Sequence, residues 1–190
     1  MRDMLHMVID MQRLFDEETV WHTPMLREVL PNVLRLCEGF RGQNAFARFV
    51  VPETAEAATG TWARYYQRWD MLTGERIDRA LLDLVAELQP FAAKSLVIDK
   101  LIYSPFKVAG VTERLLAAGV RHIVFSGVET DVCVLAAVMD AMDLGFDVTI
   151  AIDAVGSSAR EAHEAALRLI YPRCEDQIRL ATTEQILSNR

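Results

Sequence analysis

The sequence predicts one α/β domain over residues 1–190, with a doubly wound, mostly parallel six-stranded sheet and helices on both faces. Short apolar runs alternate with helix-forming segments along the whole chain, which is typical of parallel sheets. The composition, with 52% hydrophobic and 25% charged residues, suffices for one sizeable core. No repeat, low-complexity tract or linker indicates a second domain.

Six strands are predicted from short apolar runs that end at turn or polar residues. The first run ends in Asp10, the third ends in Lys100, and the fourth leads through Gly127 into a helix. The predicted strands cover residues 4–10, 45–51, 95–100, 122–127, 147–153 and 177–181.

The helices between these strands are predicted from capping and helix-breaking residues. Thr23-Pro24 indicates an N-cap followed by proline in the first turn of a helix that runs toward Gly39, with a kink at Pro31. Thr130 is a favourable N-cap for a helix over residues 133–144. Further helices are predicted over residues 78–88, 112–118 and 160–171, with a short one at the carboxyl terminus.

Residues 52–76 show no clear period, although they contain a dense set of aromatic side chains: Trp62, Tyr65, Tyr66 and Trp69. A loop of this length in a compact domain is usually functional or disordered, and aromatic residues argue against disorder. We therefore expect a lid over a pocket, with an aromatic core cluster as the alternative.

Charge and cysteine content favour a protein that acts on small molecules. The net charge of -7, without a basic run, argues against a nucleic-acid or anionic-membrane partner. No apolar run approaches the roughly 18 residues of a membrane span, and the amino terminus leads directly into a strand. Cys37, Cys133 and Cys174 are widely spaced, which suits a reducing compartment. We expect a cytoplasmic protein.

Three chemically complementary residues are predicted at one rim of the sheet. Ligands of open α/β sheets bind beyond the carboxyl ends of the strands, where Asp10, Lys100 and Cys133 all fall. In the first turn of a helix the thiol would be favoured as a thiolate, a nearby lysine would lower its pKa, and a carboxylate would take its proton. The structural alternatives are a turn-forming aspartate, a solvated lysine and a buried core thiol. With the strand order 3-2-1-4-5-6, Lys100 would start about 9 to 10 Å from Asp10, so its side chain would have to reach inward.

The sequence around these residues resembles that of the isochorismatase-like cysteine hydrolases. Asp10 lies in Val-Ile-Asp-Met-Gln, Lys100 in Asp-Lys-x-x-Tyr-Ser-x-Phe, and Cys133 in Gly-Val-Glu-Thr-Asp-Val-Cys-Val. The similarity covers nearly the whole chain, including residues 153–158 and His163. It implies a Rossmann-like three-layer fold, an Asp, Lys, Cys catalytic triad and a cis peptide bond between Val128 and Glu129. The backbone N–H groups of Glu129 and Cys133 would then form the oxyanion hole.

Two departures from family patterns narrow the expected chemistry. Nicotinamidases of this family carry an Asp-x-His metal motif after the second strand, where this chain reads Val51-Pro52-Glu53-Thr54-Ala55. The four histidines, His6, His22, His122 and His163, are scattered, so we expect no metal and no other cofactor. True isochorismatases replace the nucleophilic cysteine, so Cys133 favours hydrolysis of an amide or ureide.

The sequence thus predicts a metal-independent cysteine amidohydrolase that cleaves a C–N bond of a small carboxamide or ureido compound through a thioester on Cys133. The expected substrate-binding residues are Phe15, Trp62, Tyr103 and Val128. Arg48 or Arg64 could pair with a substrate carboxylate, with surface placement as the alternative.

The alternative functions come from other classes. A non-catalytic small-molecule binding or scaffold protein on the same fold remains open, because fold does not determine function. A phosphotransferase of the haloacid-dehalogenase type, using Asp10, Ser126 and Lys100, is disfavoured because Asp10-Met-Gln12 lacks a second carboxylate. A nucleotide-binding module is disfavoured because residues 127–130 match neither glycine-rich phosphate-binding pattern.

We predict a homo-oligomer, a dimer or larger. The family resemblance implies an oligomer. The mean hydropathy of +0.14 also indicates a chain that is somewhat apolar for a monomeric domain. Light scattering at micromolar concentration should give at least twice the chain mass of 21.4 kDa. A mass equal to that of one chain would contradict the prediction.

Overall fold

The computed structural model describes residues 3–189 and places six parallel strands in the order β3-β2-β1-β4-β5-β6. Strand order reverses at β1, which pairs with β2 on one side and β4 on the other. The predicted doubly wound sheet is therefore confirmed. The strands are β1 Met4–Ile9, β2 Asn44–Phe49, β3 Leu96–Lys100, β4 His122–Val128, β5 Asp147–Gly156 and β6 Ile178–Ala181.

Eight α-helical segments flank this sheet in the described part of the chain. The long helices α2 and α6 both pack against β4 and β5, so the centre of the sheet is well covered. The helices are α1 Arg13–Asp16, α2 Met25–Gly39, α3 Thr61–Arg68, α4 Gln89–Ala92, α5 Val111–Ala117, α6 Cys133–Asp143, α7 Arg160–Ala165 and α8 Thr183–Ser188. Within residues 3–189, none of the helices combines the length and the apolar character that a membrane crossing requires.

The central strands are almost entirely buried. Five of the six residues of β1 and six of the seven residues of β4 are shielded from solvent, as expected for strands with helices on both sides. A polar side chain just beyond either strand therefore starts in an apolar environment. Asp10 follows β1 directly, and the loop that leads to Cys133 follows β4.

Helix α2 begins one residue later than a Thr23 cap would place it. Pro24 occupies the N-cap position, and the Thr23 hydroxyl donates to the Trp21 carbonyl instead of capping the helix. The helix continues through Pro31 to Gly39.

The prediction of a helix over residues 78–88 is wrong. Two 3₁₀ turns, Arg79–Leu82 and Ala86–Leu88, are separated by an extended stretch in which Leu84 forms an antiparallel bridge with Gln12. The Arg13 N–H donates to the Asp83 carbonyl, and the Val85 N–H donates to the Met11 carbonyl. These bonds to the segment after β1 replace the bonds that a helix would have made.

Two other segments differ from their predicted form. Residues 52–76 include the regular helix α3, followed by a 3₁₀ turn over Asp70–Leu72, so the aromatic residues lie on ordered structure. The helix predicted over residues 160–171 consists of α7 followed by a π-helical turn at Ala166–Ile170, and Tyr171–Cys174 forms a 3₁₀ turn.

Gly127 is the point of closest approach between β1 and β4. Its φ is +106°, and a Cβ atom at this position would lie 2.0 Å from the Ile9 carbonyl oxygen and 2.7 Å from the Ile9 nitrogen. Since both contacts are with backbone, neither neighbour can rotate away. A glycine is therefore required here.

We predict that Gly127→Ala lowers the free energy of unfolding by about 3 kcal/mol or more, because overlap with the β1 backbone adds to the unfavourable φ. Gly145→Ala is the matched control. Gly145 has a φ of +82°, and no other atom lies within 4 Å of the point that a Cβ would occupy, so it should lose only about 1 kcal/mol. Denaturant unfolding measures both, and equal losses would show that the contact with β1 is unimportant.

Candidate active site

Asp10, directly after β1, has an unusual backbone conformation. Its φ of +52° is the one positive value for a non-glycine residue in the described chain, and aspartate is among the residues that tolerate it. The Asp10 N–H donates to the Ala47 carbonyl, and the Asp10 carbonyl accepts from the Gln12 N–H. The chain therefore turns sharply at the end of β1, and the carboxyl group is completely buried.

Gln12 holds this turn in place, a role that was not predicted from the sequence. The buried Gln12 side chain accepts from the Phe49 N–H at 2.6 Å and donates to the Phe49 carbonyl at 3.0 Å. It also donates to the Leu82 carbonyl at 2.8 Å. One amide side chain thus joins the end of β2 to the 3₁₀ turn and to the segment after Asp10.

Lys100 crosses the end of β2 and reaches Asp10. Its Nζ donates to Asp10 Oδ2 at 2.7 Å, and the two side chains are 0% and 1% exposed. The same Nζ lies 4.6 Å from the centroid of the Phe49 ring, which lies between the two residues in the sheet. The long lysine side chain therefore spans the two-strand separation that the topology predicts.

Cys133 is the first residue of α6. The preceding residue, Val132, has φ -124° and ψ -91°, and no side chain caps the helix. Thr130 was expected to be the cap, and this prediction is wrong because its hydroxyl is bonded to His163 Nδ1 at 2.8 Å. The thiol still lies in the first helical turn, as predicted.

The loop between β4 and α6 is held from several sides. The Val128–Glu129 peptide bond is cis, as the family resemblance implies. The Thr130 N–H donates to the Gly156 carbonyl at 2.9 Å, and the Tyr171 hydroxyl donates to the Thr130 carbonyl at 2.6 Å. Tyr171 was not predicted to matter, because it is 41 residues from Thr130 in the chain.

Two backbone donors are left available in this loop. The Glu129 carbonyl accepts from the N–H groups of Val132 and Val134. Within residues 3–189, the N–H groups of Glu129 and Cys133 donate to no protein acceptor. These are the two groups that the sequence analysis assigned to an oxyanion hole.

The pKa of the Cys133 thiol is shifted upward, whereas its place in the first helical turn and the nearby Lys100 led us to expect a lower pKa. Burial raises the pKa of Cys133 well above its ordinary value, and the nearby Asp10 raises it further. Lys100 lowers the pKa of Cys133, as predicted, but burial and Asp10 outweigh it.

The carboxyl group of Asp10 is also shifted. Burial raises the pKa of Asp10, while the charge of Lys100 and its hydrogen bond oppose that rise. Oδ2 is occupied by Lys100, whereas Oδ1 has no partner in ordinary hydrogen-bonding geometry within residues 3–189. A weaker interaction with the Cys133 thiol also lowers the pKa of Asp10. Asp10 therefore has one oxygen available to take a proton.

A cavity of about 140 Å³ gives access to the thiol. Of the residues predicted to form the site, Phe15, Tyr103, Glu129 and Cys133 line it. The lining residues are Phe15, Val20, Trp21, His22, Phe49, Tyr65, Tyr103, Glu129, Val132, Cys133 and Ser158.

Trp62 and Val128 do not line this cavity, contrary to the expectation that they contact substrate. Trp62 lies behind two lining residues, with its ring centroid 5.2 Å from that of Tyr65 and 4.8 Å from that of Tyr103. It borders a separate cavity that shares those two tyrosines. Val128 is fully buried in β4.

Trp21 is the aromatic residue that the sequence analysis overlooked. Its ring stacks on Phe15 at 6.2 Å with an interplanar angle of 10° and meets Phe49 edge-on at 5.7 Å. It lies in the connection between α1 and α2. One feature of the sequence could have indicated that Trp21 contacts the cavity. Trp21 follows the first strand, where the chain passes the carboxyl edge of the sheet.

The two candidate arginines do not reach the cavity. Arg48 is bound to both carboxylate oxygens of Asp99, at 2.7 and 2.8 Å. Arg64 is exposed on α3, and neither residue belongs to the lining.

The residues at the position of the family's metal motif are engaged elsewhere. Glu53 pairs with Arg79 at 2.7 Å. Three of the histidines are bonded to polar side chains: His6 to Asn44 and Ser126, His122 to Thr149, and His163 to Thr130. In the described residues, no group of three or more His, Cys, Asp or Glu side chains is placed to hold a metal ion.

Comparison with known proteins agrees with this architecture. A curated relative, maleamate amidohydrolase from Pseudomonas putida, is 31% identical over 63% of this chain and 54% of its own length. A relative from Arabidopsis thaliana, which bears the name probable inactive nicotinamidase, is 28% identical over 84% of this chain and 83% of its own length. The crystal structure of a cysteine hydrolase from Pseudomonas syringae matches with a TM-score of 0.83 at 20% identity, over 98% of this chain and 92% of that one. At that identity, the structural match shows the fold alone.

The family assignment rests on a match along almost the entire sequence. The model of the isochorismatase domain matches residues 4–182. This range includes all six strands and the residues Asp10, Lys100 and Cys133. The chain therefore belongs to the isochorismatase family.

Proposed function

We propose that this protein is a metal-independent cysteine amidohydrolase that cleaves a C–N bond of a small carboxamide or ureido compound through a thioester on Cys133. The observation that carries the proposal is the arrangement of Asp10, whose Oδ2 is held by Lys100 while Oδ1 is unpaired next to a thiol that opens onto a cavity. The similarity to maleamate amidohydrolase supports this class of reaction. Metal independence rests on the residues at positions 51–55, which lack the family's metal motif.

The first step is attack by sulfur on the substrate carbonyl carbon. Because the raised pKa keeps Cys133 protonated at rest, the thiol transfers its proton to Asp10 as the C–S bond forms. Lys100 remains bound to Oδ2 and holds the carboxyl group in place. The proton moves between neighbouring groups in the site, so no thiolate has to accumulate beforehand.

The tetrahedral intermediate then loses its nitrogen. The carbonyl oxygen becomes negative and accepts hydrogen bonds from the free N–H groups of Glu129 and Cys133. Asp10 returns its proton to the leaving nitrogen, the C–N bond breaks, and ammonia or an amine departs. The acyl group remains on Cys133 as a thioester.

Water completes the cycle. Asp10, again a carboxylate, accepts a proton from a water molecule as the oxygen attacks the thioester carbon. The C–S bond breaks, sulfur recovers the proton from Asp10, and the carboxylic acid product leaves. The net reaction consumes one water and one amide and yields one acid and one amine.

A non-catalytic binding protein on this fold is the second candidate. The observation that favours it is the relative from Arabidopsis thaliana that bears the name probable inactive nicotinamidase. The buried carboxyl group of Asp10 argues against it, because its Oδ1 has no partner in ordinary hydrogen-bonding geometry and interacts only weakly with the Cys133 thiol. A binding protein would gain nothing from such an arrangement.

We predict that Cys133→Ala and Cys133→Ser lower kcat by about three orders of magnitude or more, because each removes the covalent nucleophile. Cys174→Ala is the control, since Cys174 is only partly buried and lies in the Tyr171–Cys174 turn, outside the cavity lining. Its rate should stay within about twofold of wild type. Ammonia release from a panel of amides and ureides measures the rates.

Near-normal turnover by Cys133→Ala would rule out the thioester mechanism. Detection of an acyl adduct on Cys133 by mass spectrometry of the quenched wild-type reaction would support it independently of the rates. If no compound in a broad panel is turned over and no adduct forms, the binding-protein alternative holds.

We also predict that Trp21→Ala raises KM more than Trp62→Ala does, because Trp21 contacts the cavity directly while Trp62 acts through Tyr65 and Tyr103. Loss of one aromatic wall should raise KM by about tenfold, with kcat less affected. Circular dichroism and thermal unfolding of both variants identify effects that come from the fold. A larger KM effect for Trp62→Ala would restore Trp62 as a substrate contact.

A further inference from the structure

Building on the proposed function, we infer that the acyl group accepted by this site is uncharged and no larger than about one six-membered ring, so that amides carrying a carboxylate are excluded. Three features of the cavity support the inference: the charges of its lining, the state of its two tyrosines, and its size and shape.

The lining offers no permanent cation to a carboxylate. Neither arginine nor lysine is among the lining residues in the described chain, and the one carboxylate is that of Glu129. Glu129 Oε1 accepts from the Ser158 N–H at 2.7 Å and remains at the cavity wall. A substrate carboxylate would therefore lose its water shell, gain no opposite charge and face a like charge.

Two cations outside the lining, Lys100 and Arg48, are already paired. Lys100 donates to Asp10 and is fully buried behind Phe49. Arg48 is bound by Asp99 on another face. Each would have to abandon a short ion pair to bind a substrate carboxylate, and neither is in the lining.

The two lining tyrosines remain neutral. Burial is the largest cause that raises the pKa of Tyr65 and of Tyr103. They therefore present uncharged hydroxyl groups, which suit a neutral polar substituent. His22 is exposed at the rim of the cavity.

The volume and the walls suit a compact, flat group. The cavity of about 140 Å³ is close to the roughly 150 Å³ of an engineered apolar cavity that binds benzene. Phe15 and Trp21 lie nearly parallel to each other, and Phe49 meets Trp21 edge-on. Aromatic faces of this kind favour a planar acyl group.

A matched pair of small amides tests the charge preference. Crotonamide and fumaramate have the same chain length and double-bond geometry, and differ in a methyl group or a carboxylate at the far end. Binding of each to Cys133→Ala is measured by ligand-detected NMR, and kcat/KM of each is measured with the wild-type enzyme. We expect crotonamide to be favoured by about tenfold or more in both measurements.

A second pair tests the size limit. Benzamide should bind and react, whereas 2-naphthamide should be at least about tenfold poorer because its second ring exceeds the cavity. If 2-naphthamide equals benzamide, the limit of one ring is wrong.

A substitution at the rim tests the electrostatic cause. Val20 is 52% exposed and lines the cavity, so Val20→Lys adds a cation where the fold can accept it, and Val20→Met adds similar length without charge. Val20→Lys should raise the fumaramate to crotonamide ratio of kcat/KM by about tenfold relative to Val20→Met. Equal ratios in the two variants would contradict the electrostatic cause.

The outcomes separate this inference from the proposed function. Tighter binding of crotonamide without turnover by the wild-type enzyme would support the selectivity and reject the amidohydrolase. Turnover with preference for fumaramate would support the amidohydrolase and overturn the selectivity. Loss of that preference in His22→Gln would then identify His22 as the carboxylate-binding residue. Failure of Cys133→Ala to bind either crotonamide or benzamide would also overturn the inference.

Discussion

The buried ion pair between Asp10 and Lys100 is the interaction on which the site depends. Two charges removed from water are costly unless each has a close and well-oriented partner, and here the partners come from strands separated by β2. The positive φ of Asp10, the bonds of Gln12 to Phe49 and the ring of Phe49 beneath the lysine all keep that geometry. Much of the local backbone is thus organised to hold one carboxyl group.

The same constraint bears on the proposed role of Cys133 as a nucleophile. The burial that keeps water from Cys133 raises the pKa of its thiol, and the charge of Asp10 raises it further. The same carboxylate is the group to which the proton can go, and Lys100 compensates its charge.

The sequence could predict the sheet and the meeting of Asp10, Lys100 and Cys133, because the carboxyl ends of parallel strands share one edge. It could not predict the form of residues 78–88, whose hydrogen-bond partners are Met11 and Arg13, about 70 residues earlier. The role of Thr130 was also out of reach, since a cap is a local pattern while its real partner, His163, is 33 residues away. Similarly, composition identified an aromatic cluster but could not distinguish Trp21, which faces the cavity, from Trp62, which lies one layer behind.

The seclusion of Cys133 has a consequence for its chemical durability. Peroxides and most alkylating reagents attack the thiolate, whereas burial raises the pKa of Cys133. The residue is 7% exposed, and Phe15, Trp21 and Phe49 are among the residues that line the cavity beside it. Cys174, which is partly exposed, lacks that shelter. Oxidative damage should therefore begin at Cys174 rather than at Cys133, the proposed nucleophile.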